Sequence, residues 1–480
     1  MVNLIDQAQT YWHIGIEENF DSPSVQRISP LSEEVLASFK IGREFEVSRA
    51  VLNARNSYRD WSSLTFVKRG QILRNACKLL EERSEGFAAI VRLETGKSNE
   101  LAKGELEAAV EFGYMMAAHG RLPIGKVLPS GIVGKNVQVA RNPLGVCALI
   151  VSFNTPLPNY AWKVFPALLS GNTAILKPSP YTPFSAWLFG KTLVDAGVPE
   201  GVLQVLQGDG VTGNLLVESD IDLISFTGSN GAGAEIATKA SGRIVKTILE
   251  LGGSNPFIVF EDAKIDNAIN FVIQSSFSNS GQRCAAGSRI LLHNSIQEIF
   301  IEKLVNAMKT YKFGTSEDCF MGPVISADSA KRLKDFENEC KQAGASIKSL
   351  GQESGTSHAV VQPKLIVGLD SGLELSQQEI FGPIARVFTF ETEDEAVALA
   401  NSTRFGLTAA VWTENHNLAV RVAGRVSAGL VNINGPTHSA EPNMPFGGFG
   451  ASGNGTREAG IESLNYYSDQ KIVATFNTIT

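Results

Sequence analysis

The chain is short of the features that mark several large classes of protein. It has no surplus of positive charge: 42 Lys and Arg stand against 49 Asp and Glu, a net charge of −7 over 480 residues. That excludes a general electrostatic footprint for nucleic acid. It has no run of about 18 apolar residues, so no membrane span is expected. It has no Cys-x-x-Cys pair, and its five cysteines (Cys77, Cys147, Cys284, Cys319, Cys340) are scattered and odd in number. This argues against a disulfide framework or a zinc site, no metal is expected, and the compartment reads as reducing. Met1 to Phe20 lacks the basic start and apolar core of a signal peptide. Internal repeats and low-complexity tracts are absent too. What remains, with 43% hydrophobic and 19% charged residues, is a soluble, cytoplasmic globular protein of roughly two to four domains.

Residues 1–40 read as an irregular, surface-hugging arm. Ile41 to Trp61, Lys68 to Glu85 and Leu101 to Ala118 read as amphipathic helices; in the second, Ile72, Leu73, Ala76, Leu79 and Leu80 recur at helical spacing. Gly120 to Asn142, rich in Gly, Pro and Val, reads as a β-hairpin that leaves the main body. From Gly145 short apolar runs alternate with helical segments: strands at Val146–Ser152, Thr173–Leu176, Val202–Leu206, Leu223–Phe226 and Val245–Leu249, with helices between them. This rhythm predicts a parallel, doubly wound α/β sheet that binds its ligand at the carboxyl ends of the strands. It resumes at Phe257–Phe260, Ile265–Asn279, Arg289–Leu292 and Ile296–Tyr311, which predicts a second α/β domain. Lys471 to Ile479 alternates again and is expected to pair with the hairpin or with another subunit.

Several residues stand where chemistry is possible. Cys284 follows Ser278-Asn279-Ser280-Gly281-Gln282-Arg283, small polar residues and a cation at the end of a helix. That context suits a reachable nucleophile, with a buried structural cysteine as the alternative. Cys77 and Cys147 read as the structural kind. Glu250 closes an apolar strand before Leu251-Gly252-Gly253. Burial there would raise its pKa and suit a general base; a strand-capping or lysine-paired glutamate is the alternative. Phe226-Thr227-Gly228-Ser229-Asn230-Gly231-Ala232-Gly233 joins a strand to a helix N-terminus that can meet a phosphate, although Ile236 leaves the usual glycine fingerprint incomplete. Lys177, before Pro178-Ser179-Pro180, can reach a ribose or phosphate, and the Asn154 amide can donate to a developing oxyanion. Each is otherwise a turn or cap residue. His293 is expected to end a strand rather than serve Cys284.

Taken together, these motifs resemble the aldehyde dehydrogenase superfamily. The pieces run in the family's order: Phe153-Asn154, Gly171-Asn172 with Lys177-Pro178, Phe226-Thr227-Gly228-Ser229, Glu250-Leu251-Gly252-Gly253, Gly281-Gln282-x-Cys284, Glu379-Ile380-Phe381-Gly382-Pro383 and Pro445-Phe446-Gly447-Gly448. The resemblance implies a Rossmann-like cofactor domain over 1–119 and 143–252, an α/β catalytic domain over 253–445, and an oligomerisation arm from 120–142 and 460–480. The assembly implied is a homodimer or homotetramer. It further implies oxidation of a small-molecule aldehyde with NAD or NADP. Cys284 would attack the carbonyl, Asn154 and the Cys284 N–H would hold the oxyanion, and Glu250 would activate water against the thioester. Glu379 would hold the nicotinamide ribose with Phe381 packing nearby. Lys177 would bind the adenosine ribose, and Ser229 would meet the pyrophosphate. Ser152, Phe153, Ser179, Gly210, Phe226, Gly228, Gly233, Leu251 and Gly252 complete the expected cofactor contacts.

Two positions depart from the family pattern. Pro180 stands where NAD-preferring members carry a glutamate, so NADP is expected to be at least tolerated. Gly450 stands where many relatives have lysine; with Pro180 and Glu441-Pro442 this leans toward the benzaldehyde and vanillin dehydrogenase branch. Two other readings compete. Enzymes that pass the acyl group to coenzyme A generally lack the glutamate, and a non-catalytic nucleotide-binding protein would be expected to lose Cys284 or Glu250.

Overall fold

The computed structural model describes residues 13–16, 21–122 and 124–477. The apolar runs Val146–Ile150, Thr173–Lys177, Leu203–Val205, Leu223–Thr227 and Lys246–Glu250 form a five-stranded, all-parallel sheet. The first three are buried from end to end, because helices cover both faces. On one face Tyr160, Phe165 and Phe189 pack with Trp61 and Phe112; on the other Val47 and Ala50 pack with Leu216 and Ile236. In space the strands run third, second, first, fourth, fifth. The order therefore reverses between Val146–Ile150 and Leu223–Thr227, and a crevice opens past their carboxyl ends. Ser152 to Asn154 and Gly228-Ser229 are the segments that leave those two strands.

A second sheet of seven strands is built from Pro256–Val259, Arg289–His293, Ser346–Ser349, Lys364–Val367, Ile384–Phe390, Thr408–Trp412 and Leu430–Ile433. Only the Ser346–Ser349 edge strand is antiparallel to its neighbour. The expected hairpin forms from Lys126–Leu128 and Lys135–Pro143, and Ser468–Phe476 pairs antiparallel with its longer strand. This three-stranded sheet leaves Val127, Ile472 and Phe476 more than half exposed in the single chain.

The sequence reading needs correction in three places. Residues 1–40 are not simply an irregular arm: Ser24–Ile28 and Val35–Lys40 form an antiparallel hairpin, while residues 1–12 and 17–20 lie outside the described residues. The helix expected over Lys68 to Glu85 spans Phe66–Glu82, and a separate helix, Ser84–Thr95, follows it after a break at Arg83. Periodicity carries across that break, which is why it is invisible in the apolar pattern. The helix expected over Ile265 to Asn279 stops at Phe277. Ile479 lies outside the described residues. No helix among the described residues is long and apolar enough to cross a membrane.

Candidate active site

A cavity of about 1110 Å³ opens at the carboxyl ends of the five-stranded sheet; residues outside the strands of the second sheet, among them Arg283, Cys284, Glu379 and His438, complete its wall. Asn154, Glu250 and Cys284 line it, as do Ser152, Phe153, Gly228, Ser229, Leu251, Gly252, Glu379 and Phe381.

Cys284 is delivered by an unusual turn. After the helix Ile265–Phe277 the backbone takes left-handed angles at Asn279 (φ 52°), Ser280 (φ 57°) and Gly281 (φ 65°). Such angles at non-glycine residues cost about 1–3 kcal/mol each and persist only where the surroundings enforce them. Here Asn279 Nδ2 donates to the Asn154 carbonyl (3.0 Å), and Ser280 Oγ donates to the Gly322 carbonyl (2.7 Å). Gln282 Oε1 accepts from the Ile325 N–H (2.9 Å). Gly281 cannot carry a side chain, because a Cβ would overlap the Gly382 carbonyl. Asn255 Nδ2 then fixes the Cys284 carbonyl at 2.7 Å. Burial, with the nearby Glu379 and Glu250 carboxyls, pushes the Cys284 thiol up to about 12. The resting group is therefore a thiol that needs a base. Cys77 and Cys147 are fully buried, as structural cysteines should be.

Glu250 ends its strand with both carboxyl oxygens buried and without a hydrogen-bond partner. Burial first, and Glu458 second, raise its pKa well above the usual carboxylate range; Lys163 and Arg457 oppose the shift. The lysine-paired alternative does not hold: the Lys163 ammonium pairs with Glu458 and donates to Ser225 Oγ (2.9 Å). Asn154 is fixed from both sides. Its Oδ1 accepts from Ser152 Oγ (2.6 Å), and its carbonyl accepts from Lys97 Nζ (2.8 Å) as well as from Asn279. These bonds aim the amide and leave its N–H groups for the cavity.

The remaining residues form a cradle and its supports. Ser229 caps the helix Asn230–Ser241, its oxygen accepting from the Ala232 N–H (3.4 Å), so its hydroxyl hydrogen stays available beside the helix N-terminus. Glu379 accepts from the Gly253 N–H (3.1 Å), and burial pushes it up to about 7. Gly252 has to be glycine, since a Cβ would run into the Glu379 carboxyl and lie 2.7 Å from Asn230 Oδ1. Phe381, also left-handed (φ 53°), meets Phe153 edge-to-face at 5.9 Å.

Lys177, Ser179, Gly210, Phe226 and Gly233 are not among the residues that line the cavity. Lys177 Nζ is bonded to the Pro178 and Gly208 carbonyls, 2.7 Å from each. Ser179 Oγ accepts from the Tyr181 N–H (3.2 Å), and Gly210 opens a helix capped by Asp209. The Phe226 ring lies against Gly228, and Gly233 leaves room for the Leu251 side chain. His293 ends its strand and bonds Ser295, as expected. The sequence reading missed Lys97, Glu105, Lys163 and Glu458. Lys163 had a local signal, a lone cation inside the apolar helix Pro156–Ser170; Glu458 had none.

Residues 18–473 match the model of the aldehyde dehydrogenase family. The chain is 34% identical to a betaine aldehyde dehydrogenase of Bacillus subtilis (strain 168), covering 93% of both chains. It is 36% identical to an aldehyde dehydrogenase of Emericella nidulans, covering 94% of this chain and 92% of that one. Among solved structures it superposes on the betaine aldehyde dehydrogenase of Staphylococcus aureus in complex with NAD+ with a TM-score of 0.94 at 31% identity, over 99% of this chain and 96% of the other. With the sheet order, the cavity and the full-length match in agreement, the chain belongs to the aldehyde dehydrogenase family.

Proposed function

We propose that this enzyme oxidises a small aldehyde to its carboxylic acid with NAD(P)+, through a thioester on Cys284. The observation that carries the reading is the unpartnered, buried Glu250 carboxyl on the same cavity as the Cys284 thiol and the Asn154 amide. Glu250 accepts the thiol proton, and the Cys284 sulfur bonds to the carbonyl carbon. The Asn154 side chain and the Cys284 N–H hold the oxyanion; a donor of this kind is worth about 3 kcal/mol in the transition state. When bound, the nicotinamide supplies the acceptor for the hydride that leaves this carbon. Glu250 gives up the thiol proton to solvent and then, again a carboxylate, takes a proton from the water that attacks the thioester. The tetrahedral adduct collapses, the acid is released, and the Cys284 sulfur, the leaving group, regains a proton as the free thiol.

The residues suit a dinucleotide. Gly228 and Ser229 stand at a helix N-terminus that attracts phosphate. Gly252 keeps the space beside Glu379 free of side chain, which supports Glu379 as the acceptor for ribose hydroxyls. Lys177, Ser179 and Gly210 belong to the adenosine end in this reading, and Pro180 there admits NADP. The named relative of known structure binds NAD+, which supports NAD as the cofactor. The five-, seven- and three-stranded sheets support a division into a cofactor part (1–119 and 143–252), a catalytic part (253–445) and an arm (120–142 and 460–480). The exposed Val127, Ile472 and Phe476 support a homo-oligomer joined through that arm. Trp162 and Phe446, ring centroids 5.6 Å apart, support the lean toward aromatic aldehydes.

The test is rapid mixing of the purified protein with NAD+ and a panel of aldehydes, with and without coenzyme A. Formation of NADH and acid, unaffected by coenzyme A, is expected. Turnover that depends on coenzyme A would replace this reading with the acylating one, and no NADH from any aldehyde would overturn it.

A further inference from the structure

The Arg283 side chain has no role in the chemistry described so far. It lines the cavity next to Cys284. Its Nε is fully buried without a hydrogen-bond partner. The acid nearest in effect is Glu105; its Oε1 pairs with Lys97, and its Oε2, like the Arg283 Nε, is buried without a hydrogen-bond partner. Lys97, Glu105 and Arg283 thus place two cations against one anion. His438, on the same wall, does not change the sum: burial, then Arg283, push it down to about 3, so it stays neutral. A guanidinium nitrogen held out of water without an acceptor is costly unless a ligand supplies one, and the planar donors of the group match a carboxylate.

Resting on the function proposed above, we infer that the aldehydes taken by this enzyme carry a second, anionic group, a carboxylate above all, and that Arg283 holds it while Cys284 meets the carbonyl. Consecutive Cα atoms are only about 3.8 Å apart. With both side chains on one cavity, a short chain or a single ring is expected to join the two ends of the substrate. A neutral aldehyde of equal shape offers the Arg283 guanidinium no charge to pair with.

The experiment compares matched pairs with NAD+: succinic semialdehyde against butanal, and 4-carboxybenzaldehyde against benzaldehyde. In the native enzyme kcat/KM should favour the anionic member by about tenfold or more, the scale of one charge-assisted contact. In Arg283→Met that ratio should fall toward one, chiefly through KM of the anionic member, and Arg283→Lys should restore part of it. Arg283 also neighbours the thiol, so the ratio within each variant is the readout rather than the absolute rate. Calorimetry with glutarate adds a readout without turnover: binding to the native protein is expected, and its loss in Arg283→Met. No preference for the anionic member, or an equal loss on both members in Arg283→Met, would overturn the inference. So would glutarate binding that ignores the substitution. If no aldehyde reduces NAD+, the dehydrogenase reading fails, while glutarate binding still decides whether Arg283 is an anion site.

Discussion

The Lys163 ammonium pairs with Glu458 and so leaves Glu250, whose charge Glu458 opposes, without a partner for either oxygen. A carboxyl whose pKa is raised in this way becomes a better-populated base as pH rises. The Cys284 thiol, pushed up to about 12, points in the same direction. Steady-state turnover should therefore climb through the neutral and alkaline range, by up to about tenfold per pH unit while one proton limits it. Glu458→Gln removes the opposing charge, lowers the pKa of Glu250 and should move this limb to lower pH. It also strands the Lys163 charge, at a cost of about 3–5 kcal/mol, which Lys163→Met in the same chain should largely recover. A limb that stays in place in the single variant would show that Glu458 does not set the charge of Glu250.

Cys284→Ala should abolish turnover and leave NAD+ binding largely intact, because the thiol is not a support for the cradle around Gly252 and Glu379. Glu250→Gln keeps the size of the side chain and loses the base. One burst of NADH followed by a very slow steady state is expected in rapid mixing. Unchanged steady-state turnover in either variant would take that residue out of its role.

Asn154→Ala tests the oxyanion donor. The backbone at 154 remains bonded to Lys97 and Asn279, so the turn that delivers Cys284 should survive. The loss should fall on kcat, by about 100- to 1000-fold, with an unchanged thermal midpoint. A variant that loses affinity but not kcat would make Asn154 a substrate-positioning group instead.

How much of this was legible in the sequence depended on how local each signal is. Cys284 and Glu250 each sit in a short motif whose neighbours make the chemistry possible, and the alternation from Gly145 onward is a property of adjacent residues. The pair that surrounds Glu250 with charge is not: Lys163 and Glu458 are 295 residues apart, and no spacing rule joins them. The lone cation in an apolar helix announces a buried partner without naming it. Likewise the hairpin Ser24–Ile28 with Val35–Lys40 exposes residues on both faces and shifts register at Ile28. It has little of the alternation by which strands are read. Lys177 shows the opposite limit, for its strand-end position was legible while its bonds to the Pro178 and Gly208 carbonyls were not.

In the function proposed above, the short segment after Lys177 meets the adenosine end of the cofactor and sets its preference. Pro180 supplies no carboxylate to accept from the adenosine ribose hydroxyls, and none to repel a 2′-phosphate. Burial lowers Lys177 to about 8, with Asp209 opposing, so the ammonium is mostly charged at neutral pH. Two of its hydrogens are engaged by backbone carbonyls, which leaves one for a ligand. NADP should therefore be accepted at neutral pH, and less well as pH rises past the Lys177 pKa and the attraction fades. Pro180→Glu adds acceptors for the ribose and a charge against the phosphate. Each such term is about 1.5–3 kcal/mol, so the ratio of kcat/KM for NAD to that for NADP should rise by about tenfold or more. Proline fixes its own φ near −65°, and a loop freed by the substitution would blunt the gain without reversing it. Measuring both cofactors in both proteins across pH decides the matter. A native enzyme that rejects NADP, or a ratio that Pro180→Glu leaves unmoved, would mean that a group other than residue 180 reads the ribose.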